Sequence, residues 1–327
     1  MTDSINLVER IYSWQLSSGS ITHYNGKKIE IAAATETTLI SPLFRLSTGN
    51  NRPILLKKTI MVNESTQPKI AKKVQSKDSG SHFEWISSSQ SHVGCVRTVN
   101  EDACLELIDK HLWVVADGMG GHKAGDVASR TIIDSLRDVR YDSTFGTFVE
   151  NVKNQIVTAH QSLVTLGSQL GQIAGSTVVA LIGRGRHGFL MWAGDSRAYL
   201  YHQGTLQQVT RDHSYVEELL ARGDISPEEV ASHPMANVIT RAVGAGKELH
   251  LDTLNIELCY GDIILLCSDG LYKELDEAEI CLAISHNHAP AKIVQNLVNA
   301  CVERGARDNV TVVVVKLVKQ CRLDRPV

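Results

Sequence analysis

Acidic residues recur where strongly apolar runs begin or end. Glu101 and Asp102 lie in RTVNEDAC, Asp117 in VVADGMGGHKAGD, Asp195 in WAGDSRAYL, Asp269 in LLCSDGLY and Asp308 in ARDNVTVVVV. A single Asp-Gly is ordinarily a turn, because both residues suit turn geometry. The set reads differently. Carboxylates that converge at the ends of core strands repel one another, and a divalent cation removes that cost. The donors are all hard oxygens, which suit Mg²⁺ or Mn²⁺ and not a thiolate-loving ion. Such ions make a water acidic enough to attack near neutral pH, and they neutralise phosphoryl oxygens in the transition state. A phosphate would also need a cation of the protein's own. Arg97, just before Asn100, Glu101 and Asp102, has the planar fork that matches phosphate oxygens.

These residues need a frame. From about residue 92, short β-rich runs recur, among them HLWVVA, STVVALIG, GFLMWAG, DIILLCS and NVTVVVVKL. Between them the apolar spacing predicts helices over Gly125–Arg140, Thr147–Leu170 and Ala289–Arg304. Strands come in hairpin-like groups and helices come in pairs. This is not the βαβα alternation of a parallel sheet. It predicts an α+β domain of antiparallel sheets covered by paired helices. Trp113 and Trp192 sit in strand-like runs and read as core.

Composition narrows the function. The chain has 327 residues, 43% of them hydrophobic, and a formal net charge of -3. That balance argues against a generic nucleic-acid binder. No apolar run approaches a membrane span, and MTDSINLVER does not read as a signal peptide, so a cytoplasmic protein is expected. The seven cysteines form no CxxC pair, so neither a disulfide framework nor a zinc knuckle is expected. Residues 1–85 carry a charge of +4 and residues 86–327 a charge of -7. Residues 1–61 read as a small, β-rich N-terminal extension and the polar, Ser- and Lys-rich 62–90 as a linker; the main domain is 91–318 and a tail 319–327. DGMGGHKAGD is not a phosphate-cradling P-loop, because the closing Lys-Ser/Thr is missing.

The motifs RTVNEDAC, VVADGMGGHKAGDVAS, GSTVVALI, WAGDSRAYLY, TRDHSYVEEL, HPMANVITRAVG, GDIILLCSDGLYKEL and RDNVTVVVV follow in an order that resembles the metal-dependent protein Ser/Thr phosphatases of type 2C, the PPM family, in their bacterial form. The resemblance runs from Ser91 to Leu317. It implies a four-layer α-β-β-α sandwich, with two antiparallel sheets flanked by helix pairs. It implies Mn²⁺ or Mg²⁺, two ions at the core and a third beside them. By this resemblance Asp117 bridges both ions, the Gly118 carbonyl binds one, and Asp269 and Asp308 complete the first. Glu101 and Asp102 resemble the acidic pair of the second ion, Asp195 with Asp269 the third-ion pair, and Arg97 the phosphate-binding arginine. Asn309 is read as orienting Asp308 and not as a ligand.

One departure stands out. Animal members carry a His after the Asp-Gly, and here that position is Met119, as in bacterial relatives. The acid for the leaving alkoxide is then a water on a metal or, as a second choice, His122. Arg211–Lys247 resembles the family's flap, a lid that selects the phosphoprotein; Arg211, His213 and Ser214 open it. The implied partners are proteins phosphorylated on Ser or Thr and a cognate Ser/Thr kinase, with a monomeric enzyme and neither nucleic acid nor membrane. The alternatives are a catalytically weak phosphoprotein-binding regulator, or a phosphatase of one regulatory protein in a partner-switching or secretion pathway.

Overall fold

Apolar side chains alternate along the long strands, and the alternation sorts them into three layers. A computed structural model describes residues 22–24, 27–29, 83–120, 124–141, 144–230, 232–287 and 289–319. The chain divides into two units, Met1–Ser76 and Lys77–Val327. In the first, β1 (Thr22–Tyr24) and β2 (Lys27–Ile29) form an antiparallel hairpin. The rest of the expected extension, most of the expected linker and most of the C-terminal tail lie outside the described residues.

The second unit holds two antiparallel sheets. One has five strands in the order β10 (Thr205–Gln208), β9 (Arg197–His202), β12 (Ile263–Cys267), β13 (Val310–Lys319) and β3 (Phe83–His92). The other has six strands. Five follow the order β11 (Asp252–Glu257), β8 (His187–Ala193), β7 (Val178–Arg184), β5 (Leu112–Met119) and β4 (Asp102–Leu107), and β6 (Gly175–Ser176) pairs with the end of β5.

Leu112, Val114 and Ala116 of β5 pack with the buried faces of α1 (Ala124–Arg137) and α2 (Phe145–Leu170). Trp113 and Val115, one residue out of phase, join Leu266 and Val313 in a middle layer between the sheets. On the far side, Leu265, Cys267, Val312 and Val314 meet α6 (Glu277–Ser285) and α7 (Pro290–Glu303). The expected four-layer α-β-β-α sandwich is therefore present. It explains the near-continuous apolar runs, since strands buried on both faces need no polar alternation. Trp113 and Trp192 are core residues, as expected.

One boundary needs correction. Residues 83–90, expected as linker, are most of strand β3, paired along its length with β13. Its polar sequence, FEWISSSQSH, hid it. Trp85 is buried in the middle layer, and the Oγ atoms of Ser87 and Ser89 donate to the two carboxylate oxygens of Glu106 at 2.5 and 2.6 Å. A strand whose polar groups find one buried-side acceptor carries little apolar signal.

Candidate metal centre

The two sheets bring their acidic ends together. Asp102 opens β4 and pairs in register with Asp117, near the end of β5. Asp269 follows β12 and begins α5 (Asp269–Tyr272), and Asp308 precedes β13. Asp195 lies in the turn where the chain crosses from β8 of one sheet to β9 of the other. That turn needs Gly194, which has φ +110° and sits so close to Thr177 that a Cβ would lie 2.6 Å from its Cγ2.

Hydrogen bonds fix these positions. The Asp117 backbone N–H donates to Thr177 Oγ1 at 3.0 Å, and the Asp117 carbonyl accepts the Thr177 N–H at 2.8 Å. The Gly118 N–H donates to the Glu101 carbonyl at 3.0 Å. Gly118 tolerates no side chain, because a Cβ would lie 2.0 Å from the Gly125 carbonyl oxygen. Ser268 Oγ donates to Asp102 Oδ2 at 2.7 Å and accepts the Thr311 N–H at 3.0 Å. Tyr272 donates its hydroxyl to the Asp195 carbonyl at 3.0 Å.

The carboxylates feel one another. Burial pushes Asp102 up to about 7, against hydrogen bonds from Ser268 and Thr311, and the Asp269 and Asp308 charges add to the rise. Burial, then the charges of Asp102, Asp269, Asp195 and Asp308, hold Asp117 well above the usual carboxylate range. Asp195 is pushed up to about 7 by burial and by Asp269. Five aspartates thus form one electrostatic group. This is the signature of a site short of positive charge, and its all-oxygen donor set fits hard divalent ions.

Two cations border it. Arg97 Nη2 donates to Asp308 Oδ2 at 2.9 Å, and Lys273 Nζ donates to Asp269 Oδ2 at 2.5 Å. The Lys273 ammonium also donates to Asn237 Oδ1 at 2.8 Å. Sequence reasoning missed Lys273. Its signal was available, because a helix places residue i+4 on the same face as residue i.

Glu101 lies beside the aspartates. Its N–H donates to Asn309 Oδ1 at 2.8 Å, and a Cβ on Gly125 would lie 2.6 Å from its Oε1. Asn309 does more than touch Asp308. Its backbone N–H does meet Asp308 Oδ1, at 2.8 Å, but its side chain clamps the loop carrying Arg97 and Glu101. Besides accepting from Glu101, its Nδ2 donates to the carbonyls of Val93 and Val99 at 2.8 and 3.0 Å. Met119 ends β5 with its side chain near Gly175, and His122 lies outside the described residues.

The flap segment is joined to this centre at its base. His213 is buried, accepts the Gly194 N–H on Nδ1 at 3.1 Å, and meets Asp252 Oδ2 through Nε2 at 3.1 Å. Its ring stacks on Trp192, with centroids 6.1 Å apart. Ser214 caps α3 (Tyr215–Arg222) by accepting the Glu217 N–H, and Arg211 reaches Glu217 at 3.4 Å. His213 is a strut between this segment and the turn carrying Asp195.

Comparison with known proteins agrees with this geometry. The family model described as "Protein phosphatase 2C" matches residues 91–311. The "Serine/threonine phosphatase stp" of Listeria innocua is 33% identical over 237 residues, covering 68% of this chain and 92% of that protein. A solved structure described as "PppA, a key regulatory component of T6SS in Pseudomonas aeruginosa" is 41% identical with a TM-score of 0.67, covering 72% of this chain and 100% of that one. The catalytic domain of the phosphatase PstP "in complex with 2 Manganese ions" is 32% identical with a TM-score of 0.65, covering 72% and 100%. Sequence, layer architecture and acidic centre converge, and the chain belongs to the protein phosphatase 2C family.

Proposed function

We propose that this chain removes phosphate from phosphoserine and phosphothreonine in proteins, with two divalent ions held by Asp117, Asp269, Asp308, Glu101, Asp102 and the Gly118 carbonyl. The reading rests above all on one observation: five aspartates from two sheets share one electrostatic group. When bound, Mn²⁺ or Mg²⁺ would supply an acidified water as nucleophile and neutralise phosphoryl charge. The relative with two manganese ions supports that count.

The chain's own residues do the rest. Arg97 is half exposed, and Asp308 engages its Nη2, which leaves its Nε and Nη1 donors for a phosphate among the described residues. A guanidinium held from behind by a carboxylate loses little entropy when it grips the substrate. One in-line step follows. A water oxygen bonds to phosphorus, the bond from phosphorus to the Ser or Thr oxygen breaks, and a proton passes to the departing alkoxide. The Met119 thioether has no proton to give, so that proton comes from elsewhere in the site. The flap that His213 and Ser214 anchor would choose the phosphoprotein, and the cognate kinase would supply the phosphorylated form.

The direct test uses the purified full chain, stripped of metal, with a phosphothreonine peptide and a small aryl phosphate. Both should be hydrolysed only after Mn²⁺ or Mg²⁺ is restored. Full activity of a metal-free preparation in excess chelator would overturn the reading.

A further inference from the structure

A second group of metal-ligating side chains lies at the opposite end of the five-stranded sheet. Strands β9 and β12 are antiparallel, with Cys267 paired to Arg197 near the acidic centre and Ile263 paired to Tyr201 at the far end. His202 ends β9, and Cys259 and Asp262 lie in the turn before β12. At ~3.3 Å per residue, β9 alone separates the two ends by about 17 Å. The ligand atoms of His202, Cys259 and Asp262 all lie within 4.8 Å of one another.

We propose that His202, Cys259 and Asp262 form a binding site for a borderline-soft divalent ion, Zn²⁺ by its donor set. Thiolate, imidazole and carboxylate are the protein ligands of zinc, whereas the acidic centre offers oxygen alone. The two ends of one sheet would thus sort two classes of metal. Three protein ligands leave a fourth tetrahedral position for water.

The arrangement is largely preformed. Asp262 is buried, and its Oδ1 lies 2.7 Å from His202 Nδ1. Its Oδ2 accepts the Cys259 N–H at 2.8 Å, and the Asp262 N–H returns to the Cys259 carbonyl at 3.1 Å. The carboxylate therefore already fixes both other ligands, the imidazole directly and the thiol through its backbone. Zinc bonds of ~2.0–2.3 Å need the ligand atoms only to settle around a common point. Cys259 and His202 are open enough for entry, with Cys259 an exposed free thiol.

A metal here would lock a structural joint. Between Cys259 and Asp262, Tyr260 stacks on Phe83 with centroids 5.4 Å apart, and the Gly261 N–H donates to the Leu317 carbonyl at 2.9 Å. Phe83 begins β3 and pairs with Lys319. Zinc at the turn would tie β9 and β12 to the strand pair through which the chain enters this unit.

The test titrates the full chain with Zn²⁺ in the presence of saturating Mg²⁺, which keeps the acidic centre filled, and counts retained zinc by native mass spectrometry. One zinc per chain is expected, with Co²⁺ in its place showing a thiolate-to-metal absorption band. Partners outside the ligand shell commonly contribute 10–100-fold to affinity, so losing a ligand in Cys259→Ser or His202→Ala should weaken zinc binding at least about a hundredfold. Cys259 is exposed, His202 half-buried, and both are distant from the acidic centre, so Mn²⁺-dependent turnover should stay unchanged. No zinc retained under Mg²⁺, or equal retention by Cys259→Ser, would overturn the proposal. Cys95, the other exposed cysteine among the described residues, is the control: Cys95→Ser should keep the zinc.

Discussion

Asp102 and Asp117 face each other directly across the β4–β5 pair. Directly opposed residues of an antiparallel pair put their side chains on one face, so the register alone forces two carboxylates into proximity. Like charges in that position destabilise a sheet. A divalent cation bound between them would remove that cost.

A pH dependence follows. Asp102 and Asp195 are raised to about 7 in the folded chain, against ~3.9 when unfolded. A carboxyl raised on folding stabilises the protein below its unfolded value, and that stability is lost as pH rises through the folded one. The metal-free protein should therefore melt at a higher temperature at pH 5 than at pH 8, and Mn²⁺ should raise the melting temperature more at pH 8. Asp102→Asn should lift the metal-free melting temperature at pH 8 while weakening metal binding. Calorimetry with and without chelator measures all three; a metal-free protein more stable at pH 8 than at pH 5 contradicts the expectation.

Ligand and phosphate contacts should separate kinetically. Asp117→Ala and Asp308→Ala should each lower kcat by orders of magnitude and lower metal stoichiometry. Arg97→Ala should keep its metals and lose one charge-assisted contact, worth ~1.5–3 kcal/mol, or about ten- to a hundredfold in kcat/KM. Near-normal turnover of Asp117→Ala at saturating Mn²⁺ would rule out its role.

Lys273 should set the number of ions. Its ammonium is bonded to Asp269 and lowers the cost of the Asp195 charge, where a third ion would sit. The unmodified chain should hold two Mn²⁺, and Lys273→Ala should admit one more at lower concentration. Because Lys273 also bonds Asn237 of the flap, the same substitution should raise KM for a phosphoprotein more than for an aryl phosphate. Identical metal counts for both proteins would show that the lysine does not compete.

Truncation should fail between two nearby points. A chain starting near Ser81 keeps β3 and should stay folded and active on an aryl phosphate. A chain starting at Ser91 loses Trp85, whose indole fills the space above Gly183 and packs with Trp113. Removing a buried Trp costs ~3–5 kcal/mol even before the strand pairing is counted, so that form should be insoluble or unfolded. Circular dichroism of the two forms distinguishes them.

The strands that carry the aspartates were legible because burial on both faces makes them unbroken apolar runs that end abruptly in Asp. Three helices were legible by their spacing, to within three residues at each end: Gly125–Arg140 was expected where Ala124–Arg137 forms, whereas the short Glu277–Ser285 was not read. Strand β3 was not legible, because its Ser87 and Ser89 are satisfied by Glu106, a residue on another sheet that no local pattern announces. The roles of His213 and Asn309 were hidden for the same reason. Each acts through partners far along the chain, His213 through Asp252 and Asn309 through Val93.

Asp102 and Asp117 belong to the six-stranded sheet, and Asp269 and Asp308 flank strands of the five-stranded one. An ion shared among them would be a rivet through two plates. Its coordination distances are stiff, while the plates are spaced only by the side chains between them, Val115, Leu266 and Val313 among others. Slippage of one plate over the other and release of the ion would then be a single thermodynamic event, so a methyl group removed from that middle layer should be felt as a change in metal affinity at a site it never touches.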